Sequence, residues 1–97
     1  MNINIFGSTG VIGTKTLSII KTYFPAIKVN LLSANKNYNL LIKKSKIFQP
    51  KYVSLNDISK LDFLRDKLQS NIQILSSKDL KNYLINSNSE LSLLAIS

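Results

Sequence analysis

Apolar and polar residues follow two different periods along the chain, and the two periods alternate. Residues 2–6 alternate polar and apolar side chains, which is the pattern of a β-strand with one buried face. A glycine-rich stretch interrupts this pattern, and apolar residues then recur at helical spacing over residues 14–24. Pro25 follows, and it ends the helix because its nitrogen carries no hydrogen to donate. The start of the chain therefore predicts a strand, a glycine turn and a helix.

The rest of the chain repeats this order of strand and helix. Short apolar runs predict further strands at residues 27–33, 52–55, 72–75 and 91–96. Between them, helical spacing predicts three more helices, marked by Leu40, Leu41, Ile47 and Phe48, then by Ile58, Leu61, Leu64 and Leu68, and finally by Leu80, Tyr83 and Leu84. We expect Asn56 to cap the third helix of the chain, with Asp57 in its first turn, and Ser76 or Ser77 to cap the fourth.

Strands that alternate with helices form βαβ units, whose crossovers are right-handed. The sequence therefore predicts an α/β fold, a Rossmann-like, doubly wound, mainly parallel sheet. Residues 91–96 are strongly apolar, as in a central strand, and are expected beside the first strand, where the strand order reverses. Because no helix follows to cover this run, residues 1–97 are expected to be one incomplete domain, truncated after the fifth strand, that associates with other chains when isolated.

Composition narrows the possible chemistry. The chain is 44% hydrophobic and 19% charged, which is typical of a globular protein. Cysteine and histidine are both absent, so disulfides, the usual zinc sites, thiol nucleophiles and histidine-dependent mechanisms are excluded. No apolar run reaches the roughly 18–20 residues that a membrane span needs, and no basic leader precedes Ile3. We therefore expect a cytoplasmic protein with no membrane partner.

The formal net charge of +8 raises the question of a nucleic-acid partner. Twelve of the thirteen basic residues are lysines, scattered over nearly the whole chain, with one cluster at Lys43, Lys44 and Lys46. Scattered lysines usually cover solvated helix faces, whereas a nucleic-acid interface is a concentrated basic stripe with aromatic residues between the charges. No nucleic-acid partner is therefore expected.

The first strand and the first helix are joined by Gly7-Ser8-Thr9-Gly10-Val11-Ile12-Gly13, which is the setting of a dinucleotide-binding loop. In such a loop, Gly7 allows a tight turn, Gly10 leaves room for a pyrophosphate, and Gly13 lets the helix pack closely on the strand. The amides of residues 9–12 and the hydroxyls of the serine and the threonine are expected to donate to the phosphates, helped by the helix dipole. The loop lacks the Gly-Lys-Ser/Thr of a Walker-type phosphate loop.

The end of the second strand indicates which dinucleotide is bound. An NAD site places an acidic residue about 20 positions beyond the glycine loop, where it binds the ribose 2′-hydroxyl. Residues 31–39 contain no acid and instead include Asn35, Lys36 and Asn37. A lysine with two amides attracts a 2′-phosphate, which an aspartate would repel, so the sequence favours NADP over NAD.

These stretches resemble the opening of the 1-deoxy-D-xylulose 5-phosphate reductoisomerases. Residues 5–14, IFGSTGVIGT, are similar to the start of that family, which usually has serine where this chain has Val11. Residues 31–37, LLSANKN, are similar to the end of its second strand, with Asn35 in place of the usual glycine. Residues 48–53, FQPKYV, and residues 94–96, LAI, also match recurrent stretches of the family.

The resemblance implies both a binding role and its limits. It implies NADPH contacts at Thr9, Gly10, Val11, Ile12, Lys36 and Asn37, with Asn35 in the same loop. It implies that the full-length enzyme, a homodimer with a divalent metal (magnesium or manganese), converts 1-deoxy-D-xylulose 5-phosphate to 2-C-methyl-D-erythritol 4-phosphate for isoprenoid precursor synthesis. The catalytic and metal-binding residues come later in that family's chain. We therefore predict no catalytic or metal residue here, and no activity for these 97 residues alone.

Other functions are compatible with the same pattern. A different NADP-linked reductase, such as a semialdehyde dehydrogenase, also uses a G-x-x-G-x-x-G loop. A non-enzymatic nucleotide-binding or nucleic-acid-binding module is the alternative from another class. The chain has five acidic residues, expected on helices or loops away from the strand ends as surface charges: Asp57, Asp62, Asp66, Asp79 and Glu90.

Overall fold

The structure, a computed structural model, describes residues 2–86 and 91–94. Strands and helices alternate in this part of the chain as the sequence predicts. In chain order they are β1 (Asn2–Phe6), α1 (Val11–Tyr23), β2 (Lys28–Ala34), α2 (Tyr38–Phe48), β3 (Tyr52–Leu55), a 3₁₀ helix (Ile58–Lys60), α3 (Leu61–Lys67), β4 (Gln73–Leu75), α4 (Ser77–Asn86) and β5 (Leu91–Leu94).

The strands form one sheet in the order β4-β3-β2-β1-β5, and every described pair of neighbours is parallel. The chain moves from β1 to one edge of the sheet and then returns to the other side of β1, so the direction of winding reverses there. In the register of the sheet, Ile5 of β1 lies between Leu32 of β2 and Leu93 of β5. The predicted doubly wound α/β fold is confirmed. Ala95 and Ile96 of the last predicted strand lie outside the described residues.

The reversal sets the layers, because a right-handed crossover places its helix on a face that depends on the direction of winding. The helices α1, α2 and α3 therefore share one face, and α4 covers the other. Tyr83 of α4 donates its hydroxyl hydrogen to Oδ1 of Asn4 in β1, at 3.0 Å. Ile3 and Ile5 alternate with Asn4 along β1, so their side chains point to the opposite face.

The core lies between the sheet and the inner sides of the helices. Gly13, Leu17 and Ile20 form the buried side of α1. The helical spacing of apolar residues 14–24 includes Phe24, but its side chain does not continue the buried side and is 53% exposed. The reason is that α1 ends at Tyr23, and Phe24 adopts non-helical angles (φ −133°, ψ 56°).

Two helix starts also differ from the prediction. The first helix begins at Val11, three residues before the predicted position, so the last part of the glycine loop is helical. Asn56 does not cap α3, since the 3₁₀ helix intervenes and the cap position of α3 is Lys60, with no side-chain cap hydrogen bond. The prediction for the fourth helix is confirmed at Ser76, whose hydroxyl oxygen accepts from the Asp79 amide at 3.2 Å.

The lysine cluster of α2 is divided by the fold. Lys43 and Lys46 are exposed, whereas Lys44 is buried. Burial lowers the pKa of Lys44, because desolvation disfavours its charged form. The three lysines therefore do not form one continuous basic surface. In the described residues, no helix has the length and apolar character to cross a membrane.

Candidate functional site

The glycine loop forms a tight turn between β1 and α1. Gly7 has a φ of 65°, a left-handed conformation that residues with a side chain adopt at a cost. The Gly10 amide donates to the Gly7 carbonyl at 3.1 Å and closes the turn. A β-carbon at Gly13 would overlap the Gly7 carbonyl oxygen and come within 2.9 Å of the Ser8 Cα. The roles expected of Gly7 and Gly13, a turn and a close approach of helix to strand, are therefore confirmed.

Ser8 joins this loop to the end of β2. It is fully buried, and it donates both its amide and its hydroxyl hydrogen to the Ser33 carbonyl, at 2.8 and 2.9 Å. A hydroxyl has only one hydrogen to donate, and the Ser33 carbonyl accepts it. The Ser8 hydroxyl therefore joins the two loops in this structure instead of donating to a phosphate, as was expected. Thr9, the next residue, is half-buried in the turn.

The amides at the start of α1 remain to be satisfied. The helix makes its first hydrogen bond from the Thr14 amide to the Gly10 carbonyl, at 2.9 Å. The amides of Val11, Ile12 and Gly13 precede it, and they have no acceptor within the described part of the chain. The Gly10 amide was expected among the phosphate donors, but it is used within the turn. At the helix start, the consecutive row of available donors therefore runs from Val11 to Gly13.

This helix terminus has no negative group of its own. Gly10 is the cap residue and has no side chain to accept a hydrogen bond, and the first turn of α1 contains no acid. Val11 and Ile12 are 72% and 61% exposed, so what they offer at the terminus is their backbone amides rather than packing in the core. A helix start of this kind attracts an anion through its unpaired amides and its dipole.

The loop between β2 and α2 carries the other three predicted site residues, and all three are exposed. Asn37 caps α2, since its side-chain oxygen accepts from the Leu40 amide at 3.2 Å. The Lys36 carbonyl accepts from the Tyr38 amide at 2.9 Å, which tightens the loop. The Ser8–Ser33 contact holds this loop beside the glycine loop, at the carboxyl edge of the sheet. The two predicted stretches therefore lie next to each other.

Two residues that the sequence interpretation did not assign to the site support this loop from β3. The amides of Asn56 and Asp57 donate to the carbonyls of Ala34 and Asn35, at 3.1 and 3.0 Å. The side-chain amide of Asn56 also donates to Oδ1 of Asn35, at 3.2 Å. Both residues directly follow a strand, and the carboxyl ends of parallel strands meet at one edge, so this position in the sequence was a usable signal.

Asp57 corrects the expectation that every acid lies away from the strand ends. Its carboxylate accepts from the hydroxyl and the amide of Ser59, at 2.6 and 3.1 Å. The hydrogen bond from the Ser59 hydroxyl is the main cause that lowers the pKa of Asp57. Desolvation acts in the opposite direction, whereas the Ser59 amide and the charges of Lys60 and Lys36 lower the pKa further. The carboxylate is thus ionised and held by its own loop. No group of three or more potential metal-binding side chains occurs among the described residues.

Comparison with known proteins gives a consistent family. The family model described as 1-deoxy-D-xylulose 5-phosphate reductoisomerase matches residues 3–97. The reductoisomerase of Thermoanaerobacter sp. (strain X514) is 42% identical over 78 residues, which are 79% of this chain and 20% of that protein.

Comparison with solved structures gives matches to the same family. The Zymomonas mobilis reductoisomerase in complex with NADPH superposes with a TM-score of 0.85 at 25% identity, over 98% of this chain and 25% of that one. A DOX-P reductoisomerase in complex with NADPH, fosmidomycin and magnesium has a TM-score of 0.88 at 22% identity, over 99% of this chain and 24% of its own, and supports the fold. The chain thus spans about a fifth to a quarter of the length of the relatives it matches.

Proposed function

The chain belongs to the 1-deoxy-D-xylulose 5-phosphate reductoisomerase family, and we propose that residues 1–97 form an NADPH-binding domain, incomplete as it stands, of such an enzyme. The observation that carries the proposal is the start of α1. Three backbone amides there have no acceptor among the described residues, and neither a cap side chain nor an acid neutralises the helix terminus. The pyrophosphate of a dinucleotide is the anion that fits this position in a doubly wound sheet.

The second loop supports the phosphorylated form of the cofactor. Lys36 is exposed in the loop that follows β2, where its positive charge would attract a ribose 2′-phosphate. The Asp57 amide is hydrogen-bonded to this loop, but its carboxylate is held by Ser59 and does not follow the end of β2. The arrangement therefore favours a phosphate over the free hydroxyl that an aspartate at the end of β2 would bind.

The residues of this chain would hold and orient the cofactor. The amides of Val11, Ile12 and Gly13 would bind the pyrophosphate, and Asn35, Lys36 and Asn37 would bind the ribose phosphate. Bound NADPH supplies a hydride to a carbonyl carbon. The chain spans about a fifth of the length of its relatives, and the carboxylates that would hold a divalent metal are proposed to belong to other parts of the full-length protein.

The rest of the proposal concerns the full-length protein. It would convert 1-deoxy-D-xylulose 5-phosphate to 2-C-methyl-D-erythritol 4-phosphate, as a homodimer in the cytoplasm, with magnesium or manganese. A sugar phosphate is its small-molecule partner. Family membership argues against a semialdehyde dehydrogenase, and the separation of Lys44 from Lys43 and Lys46 argues against a nucleic-acid interface.

Cofactor preference tests the proposal directly. In the full polypeptide that carries this sequence, we expect NADPH to bind more tightly than NADH by about 1–3 kcal/mol, the scale of a charge-assisted contact. The Lys36→Glu variant should lose this preference, because it replaces the attracting charge with a repelling one. Lys43→Glu is the matched control, since Lys43 is an exposed lysine of α2 that lies outside the loop.

Calorimetric titration of both cofactors against the three proteins measures the preference. Equal affinity of the unmodified protein for NADPH and NADH would contradict the proposal. So would a Lys36→Glu variant that still prefers NADPH by the original margin.

A further inference from the structure

A side-chain contact connects the two loops that follow β2 and β3. The amide nitrogen of Asn56 donates to the amide oxygen of Asn35 at 3.2 Å, across 21 positions in the sequence. The backbones of the same loops are joined by the hydrogen bonds from Asn56 to Ala34 and from Asp57 to Asn35. The backbone bonds fix the separation of the loops, so the side-chain bond is left to decide how the Asn35 amide is turned.

The orientation of that amide has a chemical consequence. An asparagine side chain ends in an oxygen that accepts and a nitrogen that donates, on opposite branches of one carbon. Because the Asn35 side-chain oxygen accepts a hydrogen bond from the Asn56 side-chain nitrogen, the N–H branch of Asn35 is directed away from Asn56. An anion attracts the N–H branch and repels the oxygen branch, so the contact selects the orientation that suits an anion.

We propose that Asn56 is a positioning residue, which holds the Asn35 amide with its N–H groups directed to the 2′-phosphate of the cofactor. The inference rests on the proposed function and adds a determinant of cofactor preference to it. Asn56 acts through Asn35 and does not itself contact the cofactor.

The charges around the pair are consistent with this role. Lys36 follows Asn35 directly, and Asp57 follows Asn56 with its carboxylate held by Ser59. The Asp57 carboxylate is therefore held within its own loop rather than by Asn35.

The test separates the 2′-phosphate from the remainder of the nucleotide. Adenosine 2′,5′-bisphosphate and ADP are titrated into the full polypeptide and into its Asn56→Ala and Asn35→Gly variants. We expect each variant to bind the 2′,5′-bisphosphate about three- to tenfold more weakly, the equivalent of one hydrogen bond, with less than a twofold change for ADP. Asn39→Ala is the matched control, since Asn39 is an exposed asparagine of α2 outside the pair, and it should bind both ligands as the unmodified protein does.

A double variant distinguishes positioning from a direct or a structural effect. If Asn56 acts through Asn35, then Asn56→Ala should cause no further loss in the Asn35→Gly background. Equal losses of both ligands in Asn56→Ala would mean that Asn56 only maintains the loop, and unchanged binding would mean that the contact has no role; either result overturns the inference. If the unmodified protein bound neither ligand, the proposed function itself would fail, and the inference would fall with it.

Discussion

At the scale of single residues, the glycines of the loop are needed for different physical reasons. Gly7 has the left-handed φ of 65°, and Gly13 has no room for a β-carbon beside the backbone of residues 7 and 8. Gly10 has φ −77° and ψ 177°, which any residue adopts, so the backbone conformation does not require glycine there. Under the proposed function, the reason that remains for a glycine at position 10 is the space needed by a bound pyrophosphate.

This difference predicts that a glycine-to-alanine substitution affects mainly stability at position 13 and mainly NADPH binding at position 10. Gly13→Ala should lower the free energy of unfolding by about 1–3 kcal/mol, because α1 must move away from β1 to admit the methyl group. Gly10→Ala should cost less than about 1 kcal/mol at a helix cap, yet weaken NADPH binding strongly. Thermal unfolding and NADPH titration measure the two effects. A Gly10→Ala variant with unchanged NADPH affinity would show that Gly10 serves the turn alone.

At the scale of elements, the start of α2 shares a residue with the proposed cofactor loop. Asn37 caps the helix through its side-chain oxygen, and its other branch, the amide nitrogen, can still donate. One side chain therefore serves the stability of α2 and, under the proposed function, the binding of the ribose phosphate. The two roles use different atoms, so they can be separated.

Two variants at Asn37 separate the cap from the binding role. Asn37→Ala should lower the free energy of unfolding by about 1 kcal/mol, the usual cost of a lost cap, and should weaken NADPH binding. Asn37→Ser should recover the stability, because a serine hydroxyl also accepts from the Leu40 amide, but should not recover the full affinity. Urea denaturation gives the stability. Alanine and serine variants of equal stability would mean that the cap contributes nothing measurable.

The sequence predicted the type of every element better than its ends. Apolar spacing and Pro25 were sufficient to predict α1, but not its first turn, which is built from Val11, Ile12 and Gly13, with Gly13 against the backbone of residues 7 and 8. The predicted start of α3 is also wrong. The side chain of Asp57, rather than that of Asn56, accepts from the Ser59 amide, and the side chain of Asn56 donates to Asn35 in the neighbouring loop instead. Local propensity does not distinguish two adjacent residues that can both cap.

At the scale of the whole molecule, strand order followed from general rules, whereas the contacts between loops did not. Alternating strands and helices with right-handed crossovers leave few topologies, so a sheet with its reversal beside β1 was predictable. The Ser8–Ser33 and Asn35–Asn56 contacts join residues 25 and 21 positions apart, and no local pattern marks such pairs. The two loops of the candidate site could therefore be expected at one edge of the sheet, while the residues that hold those loops together became visible only in the fold.

The attachment of α4 to the sheet is the longest-range of these contacts and has a measurable consequence. The hydroxyl of Tyr83 donates to Asn4, 79 positions earlier and 1% exposed, on the face of the sheet opposite to α1. The ring of Tyr83 also lies 4.7 Å from that of Tyr52 in β3. Tyr83→Phe keeps the ring and removes the hydroxyl, which leaves a buried oxygen of Asn4 with one donor fewer.

We therefore expect Tyr83→Phe to lower the free energy of unfolding by about 1 kcal/mol, the usual net contribution of one hydrogen bond. Tyr23→Phe is the matched control, because Tyr23 is 72% exposed at the end of α1, and its change should stay within about 0.5 kcal/mol. Denaturant unfolding of both variants measures the difference, and NADPH affinity should be unchanged in both because neither hydroxyl lies in the proposed site. If the two variants proved equally stable, packing rather than this hydrogen bond would hold α4 to the sheet.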